Sequence, residues 1–336
     1  MIIKFLIFLT ITSFTFTLPQ SKEIDLIPDE DYPLWIKQDE IHSNQTSGIT
    51  FIKEENCKRY FLIADDIGDL HSLVIDHQNN LELNSITFSD SVQSFISQLP
   101  KADFEEITFD QHTKSFYLSI EGNGKEYQNH VGIYKIEFTS GDIPFTEVTK
   151  LSKINFEPED LFLKYTKPNI GYEGFAVDEN YFYLGLEGFT ENYQFADSAV
   201  IFIAIKSENK IIKEISTKDL NIHTICGLFS DQNYSLWGID RNKRKIFHIN
   251  FDENFEIIDF NTYDCATNIP GYKEYNYNPS FESITIDSSG FLYLVDDPWR
   301  EAFIPSEDIL NKLDEQTVKN FKELIPTIFR YKIKLN

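Results

Sequence analysis

Five times the chain repeats a short apolar hairpin with a marked residue at each end. The first three copies run from Ser47-Gly48-Ile49-Thr50 to Ile63-Ala64-Asp65, from Glu105-Glu106-Ile107-Thr108 to Ser119-Ile120-Glu121, and from Glu173-Gly174-Phe175-Ala176 to Gly185-Leu186-Glu187. The last two join Cys226-Gly227-Leu228 to Gly238-Ile239-Asp240 and Glu282-Ser283-Ile284-Thr285 to Leu294-Val295-Asp296. The marks lie 14 positions apart in the last three copies, 16 in the second and 18 in the first, where the turn is longer. In four copies an Asp follows the first mark by five residues (Asp110, Asp178, Asp231, Asp287). An Asp there can bond its own backbone and start a turn. A strand-built repeat of about 50 to 70 residues marks a propeller or solenoid, because no single copy can bury both of its faces.

Each hairpin is followed by further strand-like runs. The third strands are expected at Leu70–Ile75, Val131–Phe138, Ala199–Ile205 and Lys245–Phe251, and the fourth at Leu81–Phe88, Phe145–Ile154, Lys210–Ser216 and Phe255–Tyr263. Four antiparallel strands make one propeller blade. The fifth unit has two strands, an insertion, and a third strand at Thr327–Lys334, but no fourth. Tyr32–Gln38 has no other partner and can supply it, closing a ring that leaves no exposed sheet edge. The pattern predicts an all-β chain with a single five-bladed β-propeller over 21–336; a six-bladed ring is the alternative count. Ser306–Leu324 reads as one helical insertion in the last blade, with Ser306 as N-cap and Ile309, Leu310, Leu313, Val318, Phe321 and Leu324 on one stripe. It is expected to be a wall or lid at one end of the channel.

A hydrophobic content of 41%, with 30 Phe and 17 Tyr, is ample for such a core and excludes global disorder. The net charge of -24 argues against nucleic acid and against anionic membrane surfaces, since phosphate binding needs clustered Lys and Arg. Residues 1–20, one Lys followed by the apolar run from Phe5 to Leu18, have the form of a signal peptide and are too short for a membrane span. A secreted or periplasmic soluble protein, monomeric, is the expectation. Cys57, Cys226 and Cys265 form no CxxC and indicate neither a zinc site nor a disulfide framework. Asn44-Gln45-Thr46 and Asn233-Tyr234-Ser235 fit the glycosylation sequon.

Strand polarity places all ten marks at one mouth of the channel. The inner ring reads Ser47, Glu105, Glu173, Cys226 and Glu282; the outer reads Asp65, Glu121, Glu187, Asp240 and Asp296. Two carboxylates about 5 Å apart repel by roughly 3 kcal/mol at an effective dielectric near 20. The inner glutamates therefore call for a cation, a shared proton, or an inserted Arg or Lys. Oxygen donors without paired His or Cys favour Ca²⁺, with Mg²⁺ possible, held by Glu105, Glu173 and Glu282 with Ser47 in support. The alternative is that the acids cap loops by accepting backbone N–H bonds. The outer acids, with Arg241, Arg300 and Trp299, form the expected ligand-binding rim, although neutralising the adjacent Asp240 and Asp296 is the favoured use of Arg241 and Arg300. His71 and His130 are the histidines near enough in sequence to act as bases. No Ser-His-Asp order, phosphate loop, HExxH or EF-hand pattern occurs in the chain.

The strand starts Ser-Gly, Glu-Glu, Glu-Gly, Cys-Gly and Glu-Ser resemble the SdiA-regulated family of exported bacterial propellers, whose starts read roughly Ser-Gly, Glu-Gly, Glu-Gly, Ser-Gly and Glu-Gly. The likeness spans residues 44–300. It extends to the phytase-like, esterase-like propellers that share the Glu-Gly-Ile hairpin, and more distantly to the calcium-activated nucleotidases. It implies a cation in or near the channel at Glu105, Glu173 and Glu282. Cys226, Glu106 and Ser283 depart from the family pattern. Two functions follow: a calcium-dependent hydrolase of phosphate esters or lactones, or an exported binding module with a structural calcium.

Overall fold

The computed structural model describes residues 22–141, 143–188, 200–232 and 234–333; the signal-peptide reading of residues 1–20 and the sequon at Asn233 fall outside them. The chain is all-β, and each marked hairpin opens a group of antiparallel strands. The first group is Thr46–Glu55, Lys58–Asp65, Leu70–Asp76 and Leu81–Phe88. The second is Phe104–Asp110, Ser115–Ile120, Gly132–Phe138 and Glu147–Lys153. The third is Gly174–Val177, Tyr181–Gly185, Val200–Ile205 and Lys210–Ser216. The fourth is Leu228–Gln232, Ser235–Asp240, Lys245–Phe251 and Ile257–Cys265. The fifth holds Phe281–Ile286, Phe291–Asp296 and Thr327–Lys332.

The third strand of that last group takes N-terminal chain as its next partner, as the missing strand required. Leu34 and Trp35 pair antiparallel with Ile328 and Thr327. The closure is shorter than expected, because Lys37–Gln38 turns away to pair with Ile41–His42. A segment that the alternation of the chain did not reveal completes it. Lys22–Leu26 runs parallel to Asn261–Cys265, and Ile27–Pro28 pairs with Lys332 and Tyr331. The N-terminal strand thereby joins the fourth group to the fifth. At the opposite side Glu147–Val148 lies parallel to Thr87–Phe88, joining the outer strands of the first two groups.

Middle strands are buried on both faces, as in Leu62, Ile63 and Ala64, because each group is sandwiched between two others. Apolar clusters fill every junction. Leu62 and Leu70 meet Phe104 and Leu118, and Tyr117 and Ile133 meet Phe175 and Phe202. Tyr183 and Ile201 meet Leu236 and Phe247; Trp237 and Ile246 meet Ile284 and Leu292. Phe61 and Ile63 then meet Tyr293 and Ile328, so the last group packs on the first. Each fully buried Leu, Ile or Phe contributes roughly 1.5–3 kcal/mol by leaving water.

The innermost strands are tied by side chains instead of a backbone ladder. The Thr of the Ile-Thr repeat does this work. Thr285 Oγ1 accepts from Phe51 N (3.0 Å), Thr50 Oγ1 accepts from Phe109 N (3.0 Å), and Thr108 Oγ1 donates to Phe175 O (2.7 Å). The strands approach so closely that a Cβ on Gly48 would lie 2.4 Å from Glu105 O, and one on Gly227 would lie 2.7 Å from Glu282 O. Glu106, which stands where those glycines do, is 1% exposed. Its carboxyl accepts from Ser283 Oγ (2.5 Å) and Leu228 N (3.4 Å), and Ser283 Oγ in turn accepts from Ile49 N (2.9 Å). The two residues that replace repeat glycines are thus partners across the middle of the inner strands.

The insertion is not one helix. Glu307–Leu310 and Glu315–Lys322 are separate, because Asp314 caps the second through Thr317 N (2.9 Å) and Thr317 Oγ1 (2.7 Å). Ser306 makes no side-chain cap. Leu310 and Phe321 are buried in the cluster of the last group, and Phe321 meets Trp35 edge-on at 4.9 Å. The insertion therefore braces the closing strand.

Glu106→Ala should destabilise the protein by roughly 2–4 kcal/mol, since it leaves buried donors on two other strands unpaired. Urea unfolding of that variant, of Ser283→Ala and of the double variant is the measurement. Double-variant losses well below the sum of the singles are expected of two members of one network. Removing residues 22–36 should lower the unfolding midpoint more than removing the exposed turn Glu55–Lys58, because it reopens two strand edges.

Candidate functional site

The marked residues are aimed by local irregularities in the hairpins. Thr46 pairs with Asp65 and Gly48 with Ala64, which leaves Ser47 as an extra residue. Glu282 is extra in the same way between Phe281 and Ser283. Glu105 and Glu106 together oppose Ser119. Such bulges re-aim side chains at the ends of paired strands. Here they turn successive residues to different places: Glu105 towards the mouth, Glu106 towards the inner-strand core.

The mouth is a cavity of about 1310 Å³, lined by Ser47, Glu105, Glu121, Glu173, Glu187 and Glu282 among the predicted residues, with Arg241, Trp299 and Arg300. Asp66, Lys101, Asp103 and Asp297 also line it. Asp65, Asp240 and Asp296 do not. Each of these aspartates is consumed by donors of neighbouring segments: Asp65 by Ser43 Oγ, Asn44 N (2.8 Å) and His71 Nε2 (3.1 Å). Asp240 accepts from His223 N (2.7 Å) and Lys243 N (3.1 Å). Asp296 accepts from Thr327 N (2.5 Å) and Tyr277 Oη (2.7 Å). The outer ring is split by side-chain length. Its aspartates are spent on these bonds; Glu121 and Glu187, one methylene longer, reach the cavity, although Glu121 Oε1 also accepts from Gly171 N (2.8 Å).

Glu105, Glu173 and Glu282 do not gather around one point. Glu105 groups with Asp103 and Glu121, Glu173 and Glu282 group with Cys226, and Glu121, Glu173 and Glu187 bridge the two; within each group the ligand atoms lie within 4.8 Å. Ser47 Oγ donates to Phe104 O (2.6 Å), a link between hairpins. Arg241 does not serve the adjacent Asp240. Its guanidinium donates to Glu282 Oε1 (2.5 Å) and Glu187 Oε1 (2.6 Å), with Glu173 Oε2 at 3.8 Å. Lys101 pairs with Asp66 Oδ2 (3.1 Å) and with Asp103. Arg300 lies over the Trp299 ring at 3.8 Å, at the rim, and Trp299 is 40% exposed. His71 is buried against Asp65, and neither it nor His130 lines the cavity. The predicted helix Ser306–Leu324 contributes nothing to the lining; the short turn Glu301–Phe303 does, through Ala302 and Phe303. Asp103 was absent from the sequence pattern because it precedes its hairpin.

Two basic side chains, Arg241 and Lys101, stand among eight lining acids, with Lys167, Arg244 and Arg300 also in the lining. Burial first, then Asp103, Glu173 and Glu121, hold the Glu105 carboxyl well above the usual range. Burial and Glu187 do the same for Glu173, and burial, Glu173 and Asp103 for Glu121. Asp297 is raised well above the usual range by burial and by Glu282. Glu187 is pushed up only to about 7, because Arg241 opposes the effect of burial. Cys226 is kept a neutral thiol by burial. Three buried oxygens of the cavity, Asp66 Oδ1, Glu173 Oε2 and Asp297 Oδ1, find no hydrogen-bond partner among the described residues, and Asp103 Oδ1 has only its ion pair with Lys101. The arrangement can hold protons or bind a cation, and it cannot stay fully ionised without the cation.

Among the described residues no helix is long and apolar enough to cross a membrane. Neither a protein-family model nor a curated relative matches the sequence. Among solved structures, a luciferin-regenerating enzyme aligns with 12% identity and a TM-score of 0.48, over 90% of this chain and 96% of that one. A glucose dehydrogenase aligns with 8% identity and a TM-score of 0.49, over 90% and 100%. A calcium-binding protein, regucalcin, from Agrobacterium tumefaciens aligns with 9% identity and a TM-score of 0.43, over 93% and 97%. These likenesses carry no inference about activity or ligand.

Stability should fall as pH rises. A carboxyl whose folded pKa exceeds its unfolded value near 4.3 stabilises fully below that value and loses the contribution as pH passes its folded pKa. For Glu187 that window runs from about 4.3 to about 7. Thermal melts between pH 5 and pH 8 without divalent ions should show a falling Tm, and Glu187→Gln should flatten the slope.

Proposed function

We propose that the chain is an exported five-bladed β-propeller of the SdiA-regulated type whose acidic mouth binds a divalent cation, Ca²⁺ before Mg²⁺. The blade count rests on five strand groups with an apolar cluster at every junction, including the one between last and first. The observation that carries the cation is the excess of buried carboxylates over buried bases among the described residues, together with Asp66 Oδ1 and Asp297 Oδ1, which have no hydrogen-bond partner there, and Glu173 Oε2, which has only Arg241 at 3.8 Å. All-oxygen donors suit a hard cation. Glu105 and Glu121, with Glu173 shared from the neighbouring group, are the residues to hold it; Asp103 lies in the same group but is already ion-paired with Lys101. Glu282 is a weaker ligand than its place in the repeat suggests, because Arg241 and Ser280 Oγ already occupy its Oε1.

The mouth then serves a small anionic ester or lactone. A bound calcium would supply Lewis acidity to an ester oxygen. Arg300, braced on Trp299, orients the anionic end of the ligand, and the indole gives an apolar wall. Asp297 and Glu187, both with raised affinity for protons and both lining the cavity, are the groups to take a proton from water and return it to the leaving oxygen. A second reading is a secreted binding module with a structural cation; the internal neutralisation of Glu187 and Glu282 by Arg241 favours it.

Calcium in excess should raise Tm by mass action, more at pH 8 than at pH 5 because ligands must be deprotonated. Glu121→Gln and Glu173→Gln should each abolish most of that response, and a Tm indifferent to calcium and chelator would sink the cation reading. Turnover of generic phosphate esters or lactones only with calcium distinguishes hydrolase from module. In that case Arg300→Ala should raise KM several-fold with Tm within a degree or two, since an exposed arginine adds little to folding.

A further inference from the structure

One donor cluster of the inner ring contains a sulfur, which a hard cation does not use. Cys226 Sγ and one carboxylate oxygen each of Glu173 and Glu282 lie within 4.8 Å of one another, and all three residues are buried. Close approach of the third, fourth and fifth hairpins brings them together. A Cβ on Gly227, next to Cys226, would lie 2.7 Å from Glu282 O. A Cβ on Gly174, next to Glu173, would lie 2.8 Å from Ile225 Cγ2. The start of the fourth hairpin is thus pressed between the starts of the third and fifth, with Cys226 where they meet.

Cys226 is 2% exposed and does not line the mouth cavity, whereas Glu173 and Glu282 do, so the sulfur sits behind two carboxylates that face the opening. Glu173 is 9% exposed, and its Oε2 has no hydrogen-bond partner among the described residues, with Arg241 no nearer than 3.8 Å. Glu282 receives Arg241 and Ser280 on Oε1, and neither bond engages its Oε2. The Cys226 thiol reaches Thr224 Oγ1 only at 4.0 Å. A thiolate with two carboxylates suits a borderline-soft, four-coordinate cation that keeps one position for water; Ca²⁺ takes oxygen ligands. The charges also close. Thiolate and carboxylates carry three negative charges, a divalent ion offsets two, and the Arg241 guanidinium stands beside both glutamates to offset the third.

We propose that Glu173, Cys226 and Glu282 bind Zn²⁺ or a cation of its class, in exchange for the thiol proton, which passes to water. The site stands whether or not calcium binds beside Glu105 and Glu121, because its sulfur ligand belongs to no other cluster. Co²⁺ is the probe, titrated into the metal-free protein, since thiolate ligation gives it a sulfur-to-metal charge-transfer band. A band that saturates at one equivalent is expected. It should persist in the Cys57→Ser/Cys265→Ser variant, where Cys226 is the remaining thiol of the chain's three. Cys226→Ser should abolish the band and weaken Co²⁺ binding at least about tenfold, since losing a ligand costs no less than the roughly 10–100-fold typical of losing a residue behind one. Zn²⁺ should displace the bound Co²⁺, and an equal concentration of Ca²⁺ should not. Where Cys226→Ser folds poorly, the variant that keeps only Cys226 decides by itself. No band in that variant, a band that survives Cys226→Ser, or displacement by Ca²⁺ as readily as by Zn²⁺ would overturn the proposal.

Discussion

A single buried carboxyl ties the inner strands together. Strands that start successive groups lie side by side without a backbone ladder, so their inward N–H groups need acceptors from side chains. Glu106 supplies them near the centre: it takes Ser283 Oγ from one strand and Leu228 N from another. Burial raises its pKa well above the usual range, and its hydrogen bonds oppose that rise. Threonines 50, 108 and 285 make the same kind of link further along the strands. The glycines at 48 and 227 let the backbones come close enough for those links to form. The mouth cavity and a smaller space lined by Ile49, Ile107 and Ile284 lie on either side of this layer.

At the mouth, charge and burial are in opposition. Carboxylates brought together by the repeat cannot all stay ionised in a poorly solvated space. Arg241 answers this at Glu187 and Glu282, and Lys101 at Asp66 and Asp103. Between them Glu105, Glu121 and Glu173 remain without a cationic hydrogen-bond partner among the described residues, and their carboxyls are held well above the usual range. Of the three remedies open to a ring of glutamates, the protein itself supplies the arginine. The remaining acids are left to a proton or a metal.

The periodicity was legible wherever chemistry follows from local spacing. Alternating apolar residues bounded by turn-forming Asp place the strands closely: Leu81–Phe88, Lys210–Ser216 and Lys245–Phe251 form where the pattern puts them. Asp178 and Asp287 accept turn N–H groups two and three or four residues on. The insertion was misread as one helix because its apolar stripe continues across Asp314, whose capping geometry breaks it. Ser306 offered a cap of the right type, yet an apolar stripe carries no information about where a helix is interrupted.

What the sequence determined by itself is the set of strands, their grouping in hairpins, and the gathering of acids at one end, because these depend on spacing along a chain of fixed local geometry. It also implied that the first residues must close the last group, since an odd strand needs a partner. Which acids line the cavity is a matter of tertiary structure. Asp65, Asp240 and Asp296 look equivalent to Glu121 and Glu187 in the repeat, but one methylene separates a side chain spent on donors of neighbouring segments from one that reaches the cavity. Bulges of a single residue sent Glu105 and Glu106 to different places. Arg241 found its partners on the third and fifth hairpins instead of beside it. These outcomes turn on contacts between groups remote in sequence, where distances of an ångström decide whether a charge is paired, and no spacing rule encodes them.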